Sequence, residues 1–118
     1  MACPPSFFNV EIEITLKKAK DPPASVYGNI DAGNTNSDHI FQKTREMAID
    51  VGPGEIIALT KSKVLANNSA FNVYANLLDA RDFSIIVHGT ASFVPSKGSL
   101  STTIGGGSGE LGVKVTFT

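Results

Sequence analysis

Tryptophan is absent from the chain, and with it the commonest stacking platform for sugars, which leaves Tyr27 and Tyr74 as the tyrosines that could serve instead. Cysteine occurs once, at Cys3, so no internal disulfide can staple the fold, a composition that suits a reducing compartment. Charge is sparse: 18% of residues are charged and the net charge is -1, a balance too even to advertise nucleic acid or an acidic membrane as partner. Histidine occurs only at His39 and His88, with no second His or Cys at ligand spacing, which argues against a zinc site within one chain. No apolar run approaches the roughly 20 residues needed to span a bilayer. Met1 to Ser6 also lacks the basic region and apolar core of a secretory signal, so a cytoplasmic chain is expected. For the same reason Asn67-Asn68-Ser69, formally a glycosylation sequon, is read as a polar turn.

What the chain does have is alternation. From Phe83 to Phe93, Phe83, Ile85, Val87, Gly89, Ala91 and Phe93 point one way, while Ser84, Ile86, His88, Thr90 and Ser92 point the other, which predicts a long strand bent at Gly89. Phe8, Val10, Ile12, Ile14 and Leu16 alternate with Asn9, Glu11, Glu13, Thr15 and Lys17 in the same way. Further strands are expected at Ser25 to Ile30, His39 to Lys43, Glu55 to Leu59 and Phe71 to Leu78. Ser99 to Ile104 and Leu111 to Phe117 should form a closing hairpin around a flexible glycine tip, Gly105 to Gly109. Asp31 to Asp38 reads as a loop of turn formers, Thr44 to Asp50 could hold one helical turn, and Ser62 to Ala70 is ambiguous.

About eight strands without a convincing helix predict an all-β fold, an antiparallel two-sheet β-sandwich or jelly roll. The 118 residues make one domain, 1–118, with an extended tail at 1–6. Phe8, Ile12, Ile14, Val73, Ile85, Val87, Val113 and Val115 are the expected core.

Ser25-Val26-Tyr27-Gly28-Asn29-Ile30, followed by a polar loop and Ile40-Phe41-Gln42-Lys43-Thr44-Arg45-Glu46, resembles the opening of an uncharacterised plant β-domain family. That family is common in grasses and also occurs fused to jasmonate-induced ribosome-inactivating proteins. Leu59-Thr60 and the ending from Phe93-Val94-Pro95 through Gly109-Glu110-Leu111-Gly112-Val113-Lys114-Val115-Thr116 fit the same scheme. The resemblance implies a β-fold and no established activity. The ribosome-inactivating partner needs a catalytic Glu and Arg on a helix within a mixed fold, and no such helix is expected here.

Chemistry is thin when sought directly. The glycine run is followed by no Lys-Ser or Lys-Thr and no helix start, so it is no phosphate loop. Cys3 sits in a proline-bound tail with no fixed base nearby, so it is read as a surface thiol. Asp31 and Asp38 flank one loop and Asp79 and Asp82 another, loosely like the loops of calcium-dependent C2 membrane domains, although Arg81 opposes a metal there. No catalytic residue, metal or cofactor is expected.

These features predict a non-enzymatic interaction or self-assembly module acting as a homo-oligomer. One alternative is a small-ligand or glycan-binding, lectin-like sandwich using Asn34, Asn36, Asp38 and Asp79, and another is a C2-like calcium-linked membrane module. For self-association the expected surface is Tyr74, Ile86 and His88, or an exposed strand edge, with protein or glycan the other possible partners and no nucleic acid.

Overall fold

The computed structural model describes residues 7–19, 22–34, 38–67 and 69–118. The tail 1–6 with Cys3, and the loop residue Asn36, lie outside them. Among the described residues nine strands occur in chain order: β1 (Phe7–Lys18), β2 (Ala24–Gly33), β3 (Asp38–Lys43), β4 (Ile49–Val51), β5 (Lys63–Asn67), β6 (Phe71–Asp79), β7 (Ile85–Phe93), β8 (Gly98–Ile104) and β9 (Glu110–Phe117). The helical element among the described residues is a single 3-10 turn, Arg45–Met47, and none is long and apolar enough to cross a membrane.

Two antiparallel sheets make the sandwich. The first runs β5-β1-β9-β8, and the second β3-β2-β6-β7, with β4 continuing the lane of β3 along β2. Inward residues of both sheets merge into one core that includes Val10, Ile12, Ile14, Leu16, Val26, Ile30, Val73, Leu77, Val113 and Val115. Phe117 closes one end of it, with Phe8 and Phe71 edge-on at 5.6 and 5.8 Å between ring centroids. This is the all-β sandwich that period-two alternation predicts.

Four local expectations change. Glu55 to Leu59 forms no strand: only Ile56 bridges to Thr15, and Ile57 N–H donates to Ile14 C=O at 2.8 Å. The ambiguous stretch supplies β5 instead, paired along Phe7 to Glu11. Asp31 is not a loop residue, because Asn29 Nδ2 donates to its carboxylate at 3.0 Å and His39 Nδ1 bonds it across the strands, so the ladder continues to Gly33.

The fourth change concerns β7. Leu77 pairs with Val87 but Leu78 pairs with Ile85, so Ile86 is an extra residue, a bulge that turns Ile86 and Val87 both inward at 2% and 0% exposure. Upstream of the bulge the faces are reversed: Ile85 is 43% exposed and Phe83 55%. The irregularity in the ladder falls at Ile86, while Gly89 pairs in regular register with Ala75. On the opposite edge β3 does the same, since Ile30 pairs with Phe41 and Asp31 with His39, burying both Ile40 and Phe41.

The glycine run is a fitted part and not a loose tip. Ser108 and Gly109 N–H donate to the carbonyls of Ile85 and Ile86 at 2.9 Å, and His88 N–H donates to Gly105 C=O at 3.1 Å. A Cβ on Gly107 would sit 2.4 Å from Ile85 O and 2.6 Å from Ile86 O, so only glycine lets the two backbones approach that closely. The β8–β9 connection therefore caps the bulged edge of β7.

Candidate functional site

Register decides which side chains meet on the outer surfaces. On the four-stranded sheet, Glu11 stands beside Lys63 and Glu13 beside Lys114, opposite charges on neighbouring strands. The five-stranded sheet is different. One row across it reads Gln42, Asn29, Asn76, His88, and the next reads His39, Asp31, Tyr74, Thr90. β2, β6 and β7 contribute no Lys, Arg or Glu, and Asp31 is the only carboxylate in these two rows.

Part of this face is wired to itself. Asp31 joins Asn29 and His39, and the Tyr74 hydroxyl lies 3.2 Å from His88 Nε2, donating to it when that nitrogen carries no proton. The rings of Tyr74 and His88 meet edge-on. Ser92 Oγ donates to Asn72 Oδ1 at 2.6 Å one row further along. The side chains of Gln42, Asn76 and Thr90 make no hydrogen bond among the described residues.

Tyr74 and His88 are thus surface neighbours, as the alternation predicts. Ile86 is not with them, because the bulge takes it into the core. Lysine at Ile86 would consequently report on folding and not on association.

The described loop ligands, Asn34, Asp38 and Asp79, do not converge. Asn34 Nδ2 donates to the carbonyls of Ser69 and Ala70 at 2.9 and 3.2 Å, and its Oδ1 accepts from Asn67 N–H at 3.0 Å, so the amide ties down the turn after β5. Asp38 is ion-paired with Lys61 at 3.0 Å. Asp31 lies opposite Tyr74, five positions before Asp79 on β6, which sets the two loops about 17 Å apart along the strand. One calcium ion cannot be shared across that distance. Among the described residues no group of three or more His, Cys, Asp or Glu could hold a metal.

Asp79 organises the other end of β6. Its carboxylate accepts from Arg81 Nε at 2.9 Å, from Arg81 Nη2 at 2.6 Å and from Arg81 N–H at 2.9 Å. These bonds, led by the Arg81 side chain, hold its pKa below the ordinary aspartate value against the opposing effect of burial. A depressed pKa contributes stability that is present above the unfolded-state value and is lost as pH falls through the folded one. Arg81→Ala is expected to lose about 1.5 kcal/mol near neutrality. Urea titrations should also show its stability falling less steeply in acid than that of the unsubstituted protein.

The four sheet edges are protected unequally. β7 is capped by the glycine connection. β3 is bulged and covered at Ile40, whose carbonyl accepts from Thr60 N–H at 2.9 Å. β5 is five residues long, opens on Lys63 and ends with Asn67 tied to Asn34. β8 carries none of these devices. Its seven residues, Gly-Ser-Leu-Ser-Thr-Thr-Ile, contain no charge and no proline, and all but Ile104 are exposed. Leu100 and Thr102 lie opposite Val115 and Val113, on the core side of the sheet. Even so, Leu100 is 37% exposed, because the second sheet does not roof that corner.

No family model matches the chain, and neither a curated protein nor a solved structure does.

Proposed function

We propose that this protein is a non-enzymatic interaction module that assembles with itself through the open edge of β8. The observation that supports this is the undefended strand with Leu100 on its core side in solvent. Natural sheets place charge, proline or a bulge on such an edge to prevent pairing with another chain, and the other three edges of this fold are shortened, bulged or capped.

A second copy is the occupant whose sequence matches. If two β8 strands pair antiparallel about a twofold axis at Ser101, Leu100 falls opposite Thr102 of the partner subunit and Ser99 opposite Thr103 of the partner subunit. No like charges face one another in that register. The contact is isologous and closed, and it sets Leu100 beside a cross-strand neighbour on the same face of the joined sheet. A strand of seven residues buries less than the ~1,000 Å² of a durable interface, so the dimer is expected to be weak and concentration-dependent. The segments that resemble the grass β-domain family lie mainly on β2, β3 and β9, and we carry that membership forward as part of the same proposal.

Sedimentation velocity across the micromolar range should show a shift from monomer to dimer. Ser101→Glu should return it to monomer: in the single chain the new carboxylate faces Lys114, whereas in the dimer it faces its own copy. A monomeric mass throughout that range sinks the reading, and a dimer unaffected by Ser101→Glu removes β8 from it.

A further inference from the structure

We propose that the outer face of the five-stranded sheet is a binding site for a neutral, hydroxyl-rich ligand, a short glycan. It lies on the other sheet from β8, so it stands or falls separately from self-assembly.

The argument begins with charge. The two central rows carry amides, hydroxyls and imidazoles, and their only carboxylate, Asp31, is matched by His39. An anionic ligand finds no cation on β2, β6 or β7, and a cationic one finds Asp31 engaged. Sugar hydroxyls each donate and accept, and the groups that answer both roles at once are amides and hydroxyls. Gln42, Asn76 and Thr90 retain that capacity, with no hydrogen-bond partner among the described residues. Asn29, Asp31 and Tyr74 are held by their neighbours in fixed positions, so binding orders little that is not already ordered.

A sugar also has an apolar side, and the face has a place for it. The row next to Asn29, Asn76 and His88 is Tyr27, Leu78 and Ile85, an aromatic ring beside two aliphatic side chains in register. Ile85 is there because the bulge at Ile86 reverses the faces. A protein partner would require apolar contact at the centre of the patch with polar groups around it. Here the apolar row is at one side and the centre is polar. The four strand lanes span about 14 Å, room for a short oligosaccharide lying across the strands.

The test is an array of neutral hexose-, pentose- and N-acetylhexosamine-terminated oligosaccharides, printed beside sialylated, sulfated and uronate-containing ones and probed with the full chain. Binding to a set of neutral glycans is expected. Titration calorimetry with the strongest binder should then show about a tenfold loss of affinity in Asn76→Leu and a smaller loss in the isosteric Thr90→Val. Glu13→Gln, on the opposite sheet, should leave affinity unchanged. Thermal melts of each variant separate lost binding from lost fold, and Thr90→Val carries the test if Asn76→Leu does not fold. Absence of binding across the array, binding confined to the anionic glycans, or unchanged affinity in both face variants overturns the proposal.

Discussion

Lysine at Ile86 should abolish the cooperative unfolding transition, while lysine one residue earlier, at Ile85, should shift stability by no more than about 0.5 kcal/mol. Strict alternation predicts the reverse order, since it places Ile85 inside and Ile86 outside. The bulge buries Ile86 to 2% exposure and leaves Ile85 43% exposed. An ammonium at Ile86 would enter an apolar core, and an unpaired buried charge costs several kcal/mol against a total of about 5–15. Val87→Asp fails for the same reason, because Val87 is fully buried on the other side of the bulge. Loss of the far-UV and near-UV transitions in Ile86→Lys, with a sharp melt in Ile85→Lys, is the expected result. A well-folded Ile86→Lys protein would mean that β7 runs without a bulge.

The sandwich was legible because burial on one face of a sheet imposes period two, which β6 obeys along its length, β1 from Phe8 to Leu16 and β9 from Val113 onward. What stayed hidden was wherever the ladder gains a residue. Ile40-Phe41 and Ile86-Val87 are pairs of large apolar neighbours inside otherwise alternating strands, and such a pair is itself the signal of a bulge. Reading Ile86 as an anchor on the polar face took that signal for a surface feature. Glu55 to Leu59 failed for another reason: its residues have strand chemistry, but Gly52-Pro53-Gly54 sets the chain beside β1 for a single bridge only. The two-row polar face could be seen in fragments, as Tyr74 and His88, but not as a whole. Its assembly from β2, β3, β6 and β7 depends on strand order, and alternation within one strand carries no information about which strand lies beside it. Asn34 and Asp38 illustrate the converse, since turn formers selected as ligands prove to be fastening the chain to itself.

Gly28→Ala should lower the melting temperature by about 15 °C, although it adds a single methyl group. Gly28 lies within β2, between Lys43 of β3 and Leu77 of β6, with φ at +119°. An added Cβ would stand 2.1 Å from Asn76 O and 3.2 Å from Leu77 Cα. Both are backbone atoms, so no rotamer change relieves the clash, and the β2–β6 ladder must open or twist locally. Strain at a positive φ and overpacking cost about 1–3 kcal/mol each, and here they fall on one residue. Gly54 separates the two contributions: it too has positive φ, at +87°, but nothing lies within 4 Å of its would-be Cβ. Gly54→Ala should therefore cost only about 1 kcal/mol. The effect at Gly28 also reaches the outer face, because Asn29 and Asn76 are the adjoining pair in register, and displacement of the Asn76 carbonyl moves both. Differential scanning calorimetry of the two variants decides the matter. Equal small losses would show that β2 and β6 are not packed as closely as their register requires.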